Sequence, residues 1–189
     1  MNLRPTLIAT LSTLCFATCG GRGYSVGDRW DDREARFFDD GIDLIEDPGS
    51  TTGKFGFHQK DRLEGRIQLS DFVAIVKVHT VRTSTTVDRT DIKHIDVTIE
   101  KKLYGNRPEK RISLRSEPSS SGYSLIQRHE ASLSGKFILF SRWFEKRATS
   151  TAPPDIAYHF HLTPASPFML AEVKQRLALR VQLEDSRAD

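Results

Sequence analysis

His159 and His161 stand two residues apart in the segment IAYHFHL. On an extended chain this spacing puts both imidazoles on one face, opposite Tyr158 and Phe160. Two imidazoles so placed can share a metal ion, with at least one more ligand brought from elsewhere. The sequence marks no such ligand: His58, His79, His94 and His129 are scattered along the chain. The pair is read as a solvated strand face. No metal site is assigned, and His159 and His161 stand as the candidates should one exist.

Other reactive patterns are missing. No cysteine follows Cys19, and no Gly-x-Ser-x-Gly elbow occurs. Gly20-Gly21-Arg22-Gly23 follows no strand and lacks the context of a phosphate loop. The carboxylate pairs Asp31-Asp32 and Asp39-Asp40 lie in an acidic leader. General acid work needs a shaped, partly dry pocket, so they are read as solvated or as weak calcium ligands. No catalytic residue and no cofactor is assigned.

The start of the chain reads as a targeting segment. Arg4 is its lone charge before Arg22, and Leu7, Ile8, Leu11, Leu14 and Phe16 give a short apolar run. That is the pattern of a secretory signal, too short for a membrane span. At its end, Phe16-Ala17-Thr18-Cys19-Gly20 resembles the bacterial lipobox. The resemblance implies cleavage before Cys19 and attachment of a diacylglyceryl group to its sulfur. It departs from the usual pattern at Phe16 and Thr18, and an ordinary signal peptide cut near Ala17 is the competing reading. Gly20 and Gly21 follow Cys19 where inner-membrane retention uses Asp, so the same resemblance points to the outer membrane. The alternative is a periplasmic or secreted protein. Cleavage on either reading leaves at most one cysteine, so the exported domain depends on its core rather than on a disulfide.

Charge and composition divide the rest. The 189-residue chain carries a formal net charge of +3, but residues 19–66 sum to −3 and residues 67–150 to +6. The basic charges are interleaved with acidic ones, which reads as a solvated surface. The expected organisation is a signal peptide over 1–18, a flexible tether over 19–36, an irregular arm over 37–66 that packs on the domain, and a folded domain over 67–189.

Within that domain the periodicity predicts strands. DFVAIVKVHTVR is dense in β-branched residues, and a polar loop is expected over 83–90. Ile95, Val97 and Ile99 then alternate with Asp96, Thr98 and Glu100. Ile112 and Leu114 mark a third strand, and a short helix is expected near 124–129. KFILFSRWFE is apolar on both faces, hence central, and the fifth strand carries Ile156, Tyr158, Phe160 and Leu162. A terminal helix starts with Ser166 as N-cap and Pro167 in the first turn, with Leu170, Val173, Leu177 and Val181 as its apolar stripe.

Strand, strand, strand, helix, strand, strand is the succession of an OB-type barrel. Three stretches, SDFVAIVKV at 70–78, VTIEKKLYG at 97–105 and GKFILF at 135–140, resemble bacterial exported domains with a netrin-like or TIMP-like barrel. The resemblance covers residues 67–145. The chain also resembles uncharacterised bacterial lipoproteins that share Thr163-Pro164-Ala165-Ser166 before a last helix. What these resemblances imply is a mainly β, five-stranded OB-like barrel with a C-terminal helix and an irregular N-terminal arm. Protease inhibition of the TIMP kind does not carry over, because it needs a free N-terminal cysteine amine and disulfides. The function expected is that of a non-enzymatic binding or assembly module, anchored in the envelope through lipid on Cys19. Its partner would be an envelope protein or glycan, and not nucleic acid. The alternative is a metal-dependent envelope enzyme using His159 and His161.

Overall fold

The computed structural model describes residues 32–47, 49–50, 53–105, 109–146 and 155–187. The signal peptide over 1–18, the lipid attachment at Cys19 and most of the expected tether lie outside these residues. The elements run α1 (Asp32–Ala35), β1 (Gly41–Ile42), α2 (Gly53–Leu69), β2 (Phe72–Thr85), β3 (Asp91–Tyr104), β4 (Arg111–Ser116) and α3 (Tyr123–His129). A 3-10 turn (Glu130–Ser132), β5 (Gly135–Lys146), β6 (Asp155–Pro164) and α4 (Pro167–Asp185) follow.

The fold is mainly β. The strands form one six-stranded mixed sheet in the order β1-β6-β5-β2-β3-β4. β1 runs parallel to β6, and the other ladders are antiparallel. The sheet curls so that β4 and β6 approach each other, but they share no ladder and no barrel closes. This differs from the expected five-stranded barrel. The free edge of β6 is partly taken by β1, through Gly41 opposite His161 and Ile42 opposite Leu162. Closure onto β4 would need that same edge.

Two apolar clusters flank the sheet. On the inner, concave face Phe72, Val76, Val97, Leu114, Leu139 and Phe160 pack with Ile126 of α3. On the outer face Val73, Ile138 and Phe140 pack against Leu63 and Ile67 of α2 and Met169, Val173 and Leu177 of α4. Successive side chains of a strand point to opposite faces, so β5 can be apolar throughout only because both of its faces are covered. It lies between β6 and β2, as KFILFSRWFE predicts.

Three expectations need correcting. First, the arm over 37–66 is not irregular: it holds β1 and most of α2. The helical stripe was hidden because its described buried positions are Gly56, Leu63, Arg66 and Ile67, only two of them large and apolar. Second, the loop over 83–90 is shorter, since β2 continues to Thr85 and β3 starts at Asp91. Cross-strand polar pairs sustain the ladder there, among them Arg82 with Asp96 and Thr85 with Asp91. Third, the buried stripe of α4 is Met169, Val173, Leu177 and Arg180, while Val181 is exposed. Arg180 turns inward because its guanidinium donates to the backbone carbonyls of Ile67 and Ser70. It thereby caps the C-terminal end of α2, where carbonyls lack intrahelical partners. The N-cap holds as expected: Ser166 Oγ accepts from the Met169 amide at 3.1 Å.

Candidate functional site

The two β6 histidines do share a face, with Phe160 and Leu162 turned into the inner core. That face is not solvated at His161, which is 1% exposed. The chain just before and after β1 lies over it. His161 Nδ1 is 2.7 Å from Asp39 Oδ1, and its Nε2 is 3.0 Å from Asp43 Oδ2. His159 Nδ1 is 2.8 Å from Asp40 Oδ2. Of the carboxylates read as solvated, Asp39 is therefore half-buried and Asp40 buried, each aimed at an imidazole, while Asp31 lies outside the described residues.

Other donors complete the cluster. Arg66, buried on α2, donates through Nη1 to Asp43 Oδ2 at 3.0 Å and through Nε to the Phe37 carbonyl at 3.0 Å. Thr163 Oγ1 donates to the same Asp43 oxygen at 3.0 Å. Asp40 accepts from the Phe160 amide at 3.0 Å and from Ser120 Oγ at 3.2 Å. An ionised carboxylate only accepts, so both contacts of His161 are hydrogen bonds only when its ring carries a proton on each nitrogen. Asp39 and Asp43 with Arg66 and a doubly protonated His161 then balance in charge.

The backbone is shaped to fit. Asp40 has φ of 49°, and its amide donates to the Phe160 carbonyl at 3.0 Å. Short polar residues tolerate this left-handed conformation best after glycine. Gly41 and Gly122 then meet backbone to backbone. A Cβ on Gly41 would lie 2.5 Å from Gly122 Cα, so glycine is required at this crossing. The Gly122 amide donates to the Asp39 carbonyl at 2.9 Å, tying the start of α3 to the same corner.

Titration follows the contacts. Burial alone would raise the Asp43 carboxyl, but the His161 hydrogen bond and the charges of His161 and Arg66 more than offset it and hold it at about 2. Asp39 moves the same way: burial opposes ionisation, and His161 and then Arg66 outweigh it. Asp40 moves up, because burial exceeds the help it receives from His159, the Phe160 amide and Ser120. Burial lowers the Arg66 guanidinium, with Asp43 and Asp39 opposing.

No family model, curated protein or solved structure matches this chain. Function has to be read from the cluster itself. Among the described residues, no group of three or more His, Cys, Asp or Glu side chains is arranged to hold a metal ion. His161 turns both nitrogens to carboxylates. No helix among the described residues is long and apolar enough to cross a membrane.

The sequence reading found the two histidines and missed Asp39, Asp40, Asp43 and Arg66 as their partners. One signal was present. Asp39-Asp40 sits between Phe37-Phe38 and Ile42, and carboxylates embedded in an apolar island go inside only with partners.

Proposed function

We propose that this chain is a lipid-anchored, non-enzymatic protein of the bacterial envelope that binds or assembles with an envelope protein or glycan. One observation carries the non-enzymatic part. The imidazole of His161 spends both nitrogens on Asp39 and Asp43, so the densest titratable cluster described acts as a clasp. It holds the segment around β1 against β6 and α2, through partners more than a hundred residues apart in the chain.

The anchor part rests on the lipobox-like Phe16-Ala17-Thr18-Cys19-Gly20, with the outer membrane as its membrane. We further read the sheet as a partly open OB-like barrel of the netrin or TIMP type. Its five long strands follow the spatial order β6-β5-β2-β3-β4, and its ends approach without pairing. OB barrels serve as binding scaffolds, a likeness of fold only.

Labelling with a fatty acid tests the anchor. The wild-type chain should incorporate label and fractionate with membranes, and the Cys19→Ser variant should do neither. Equal labelling of the two, or none in either, would overturn the anchored reading.

A further inference from the structure

The outer face of the sheet is covered by α2 and α4 at one end only. At the other end, strand register gathers basic residues that are scattered in sequence. Lys136 of β5 lies opposite Lys77 of β2, Lys77 opposite Thr98 of β3, and Thr98 opposite Arg111 of β4. Directly opposed residues share a face, so these four form one row across the sheet. Further along, Arg82, His94 and Arg115 form another row. Lys77, Arg82, Arg111, Arg115 and Lys136 are all exposed.

Three of these cations are matched on the face: Arg82 by Asp96 at 2.8 Å, Lys136 by Glu100 at 2.7 Å and Arg115 by Glu117 at 2.9 Å. Lys77 and Arg111 form no ion pair among the described residues. They flank Thr98, and being two strands apart they stand about 10 Å from each other. Between the two rows lies a cleft of about 460 Å³, lined by His79, Asp96, Thr98, Arg111 and Ser113 over Val97 and Ile112. The bulge at His79 opens it, where the β2–β3 register shifts between Val78 and Thr80.

We propose that this face binds an acidic polysaccharide, with Lys77 and Arg111 taking its carboxylates and Asp96, Thr98 and Ser113 taking its hydroxyls. The inference rests on the binding-module reading above and names its ligand. Charge complementarity selects an anion, and Arg111 suits planar carboxylate recognition. The neighbouring hydroxyls and the Asp96 acceptor select a ligand rich in hydroxyl groups. Single-stranded nucleic acid is held largely by stacking on aromatic rings, and these rows carry no Phe, Tyr or Trp.

Calorimetric titration of the full purified chain with an oligogalacturonate tests this, with a neutral dextran oligosaccharide and a single-stranded oligonucleotide as controls. The oligogalacturonate should bind, and more weakly as salt rises. The Lys77→Ala/Arg111→Ala variant should bind at least tenfold more weakly, and Lys174→Ala on α4 should bind as wild type does. Both positions are exposed, so an unchanged melting temperature will show that the double variant is folded. Absence of oligogalacturonate binding, equal binding by the double variant, or equally tight binding of the oligonucleotide or the dextran would overturn the proposal. Such a failure with fatty-acid labelling intact removes this site alone. Binding accompanied by new reducing ends supports the site and overturns the non-enzymatic reading instead.

Discussion

His161 Nδ1 lies 2.7 Å from Oδ1 of Asp39, a residue 122 positions earlier in the chain. The contact joins β6 to the segment that leads into β1. Because the ring is buried, removing it takes a hydrogen-bond partner from each of two carboxylates, Asp39 and Asp43, and leaves only Arg66 as the cation beside them. Removing one partner of a buried charged pair costs about 3–5 kcal/mol. His161→Ala should lose that much in urea unfolding, and a double-mutant cycle with Asp43→Asn should show coupling. A loss within about 0.5 kcal/mol, as at a solvated surface site, would contradict the clasp.

The cluster also sets the acid limit of stability. Asp43 is held at about 2, below its ordinary value of 3.8. A carboxylate lowered in this way stabilises the fold above its ordinary value, and the contribution is lost as pH falls through the lowered one. The window is therefore pH 4 to 2, and the loss is about 2 kcal/mol. Asp39 acts in the same direction, while Asp40, shifted up, acts against it. Urea midpoints of wild type should fall across this window. Asp43→Asn should be less stable at pH 7 and should approach wild type near pH 2; a constant gap would refute the assignment.

Arg180 offers a separate test. Its guanidinium reaches the carbonyls at the end of α2, pairs with Glu184 at 2.9 Å and lies 4.0 Å from the centre of the Tyr104 ring. Arg180→Ala should cost about 2–4 kcal/mol through buried carbonyls left without donors. Arg180→Lys should recover little, because an ammonium cannot serve several acceptors in a planar fork. Full recovery by lysine would show that charge alone matters.

The strand register predicts an asymmetric response. Ile95 is buried in the inner core, and Arg82 pairs with Asp96 on the exposed face. Ile95→Ala should cost about 2–5 kcal/mol, and Arg82→Ala less than about 1 kcal/mol. Equal losses in thermal unfolding would place the strand the other way round.

These residues also mark what the sequence made legible. Strands β2 to β6 were readable because their apolar residues alternate, or run unbroken where both faces are covered, as at Leu139 and Phe140. α4 was readable from Ser166 and Pro167. β1 was not, since two residues carry no period. α2 was missed because it buries Gly56 and Arg66 where a stripe of Leu and Ile would have declared it. The histidine pair was visible from its spacing. Its carboxylate partners were hinted at only by the apolar island around Asp39-Asp40, because the long-range pairing of β1 with β6 is what brings them to the histidines.

Hydrogen exchange at the arm tests the clasp most directly. The Asp40 and Asp43 amides donate to the Phe160 and Leu162 carbonyls. In the wild-type chain both should be protected. In His161→Ala their protection should fall at least tenfold further than that of the Leu139 amide in β5, marking release of the arm from a sheet that stays folded. Protection of Asp40 and Asp43 that stays unchanged, or falls only in step with Leu139, would contradict the clasp and return His161 to the candidates for chemistry.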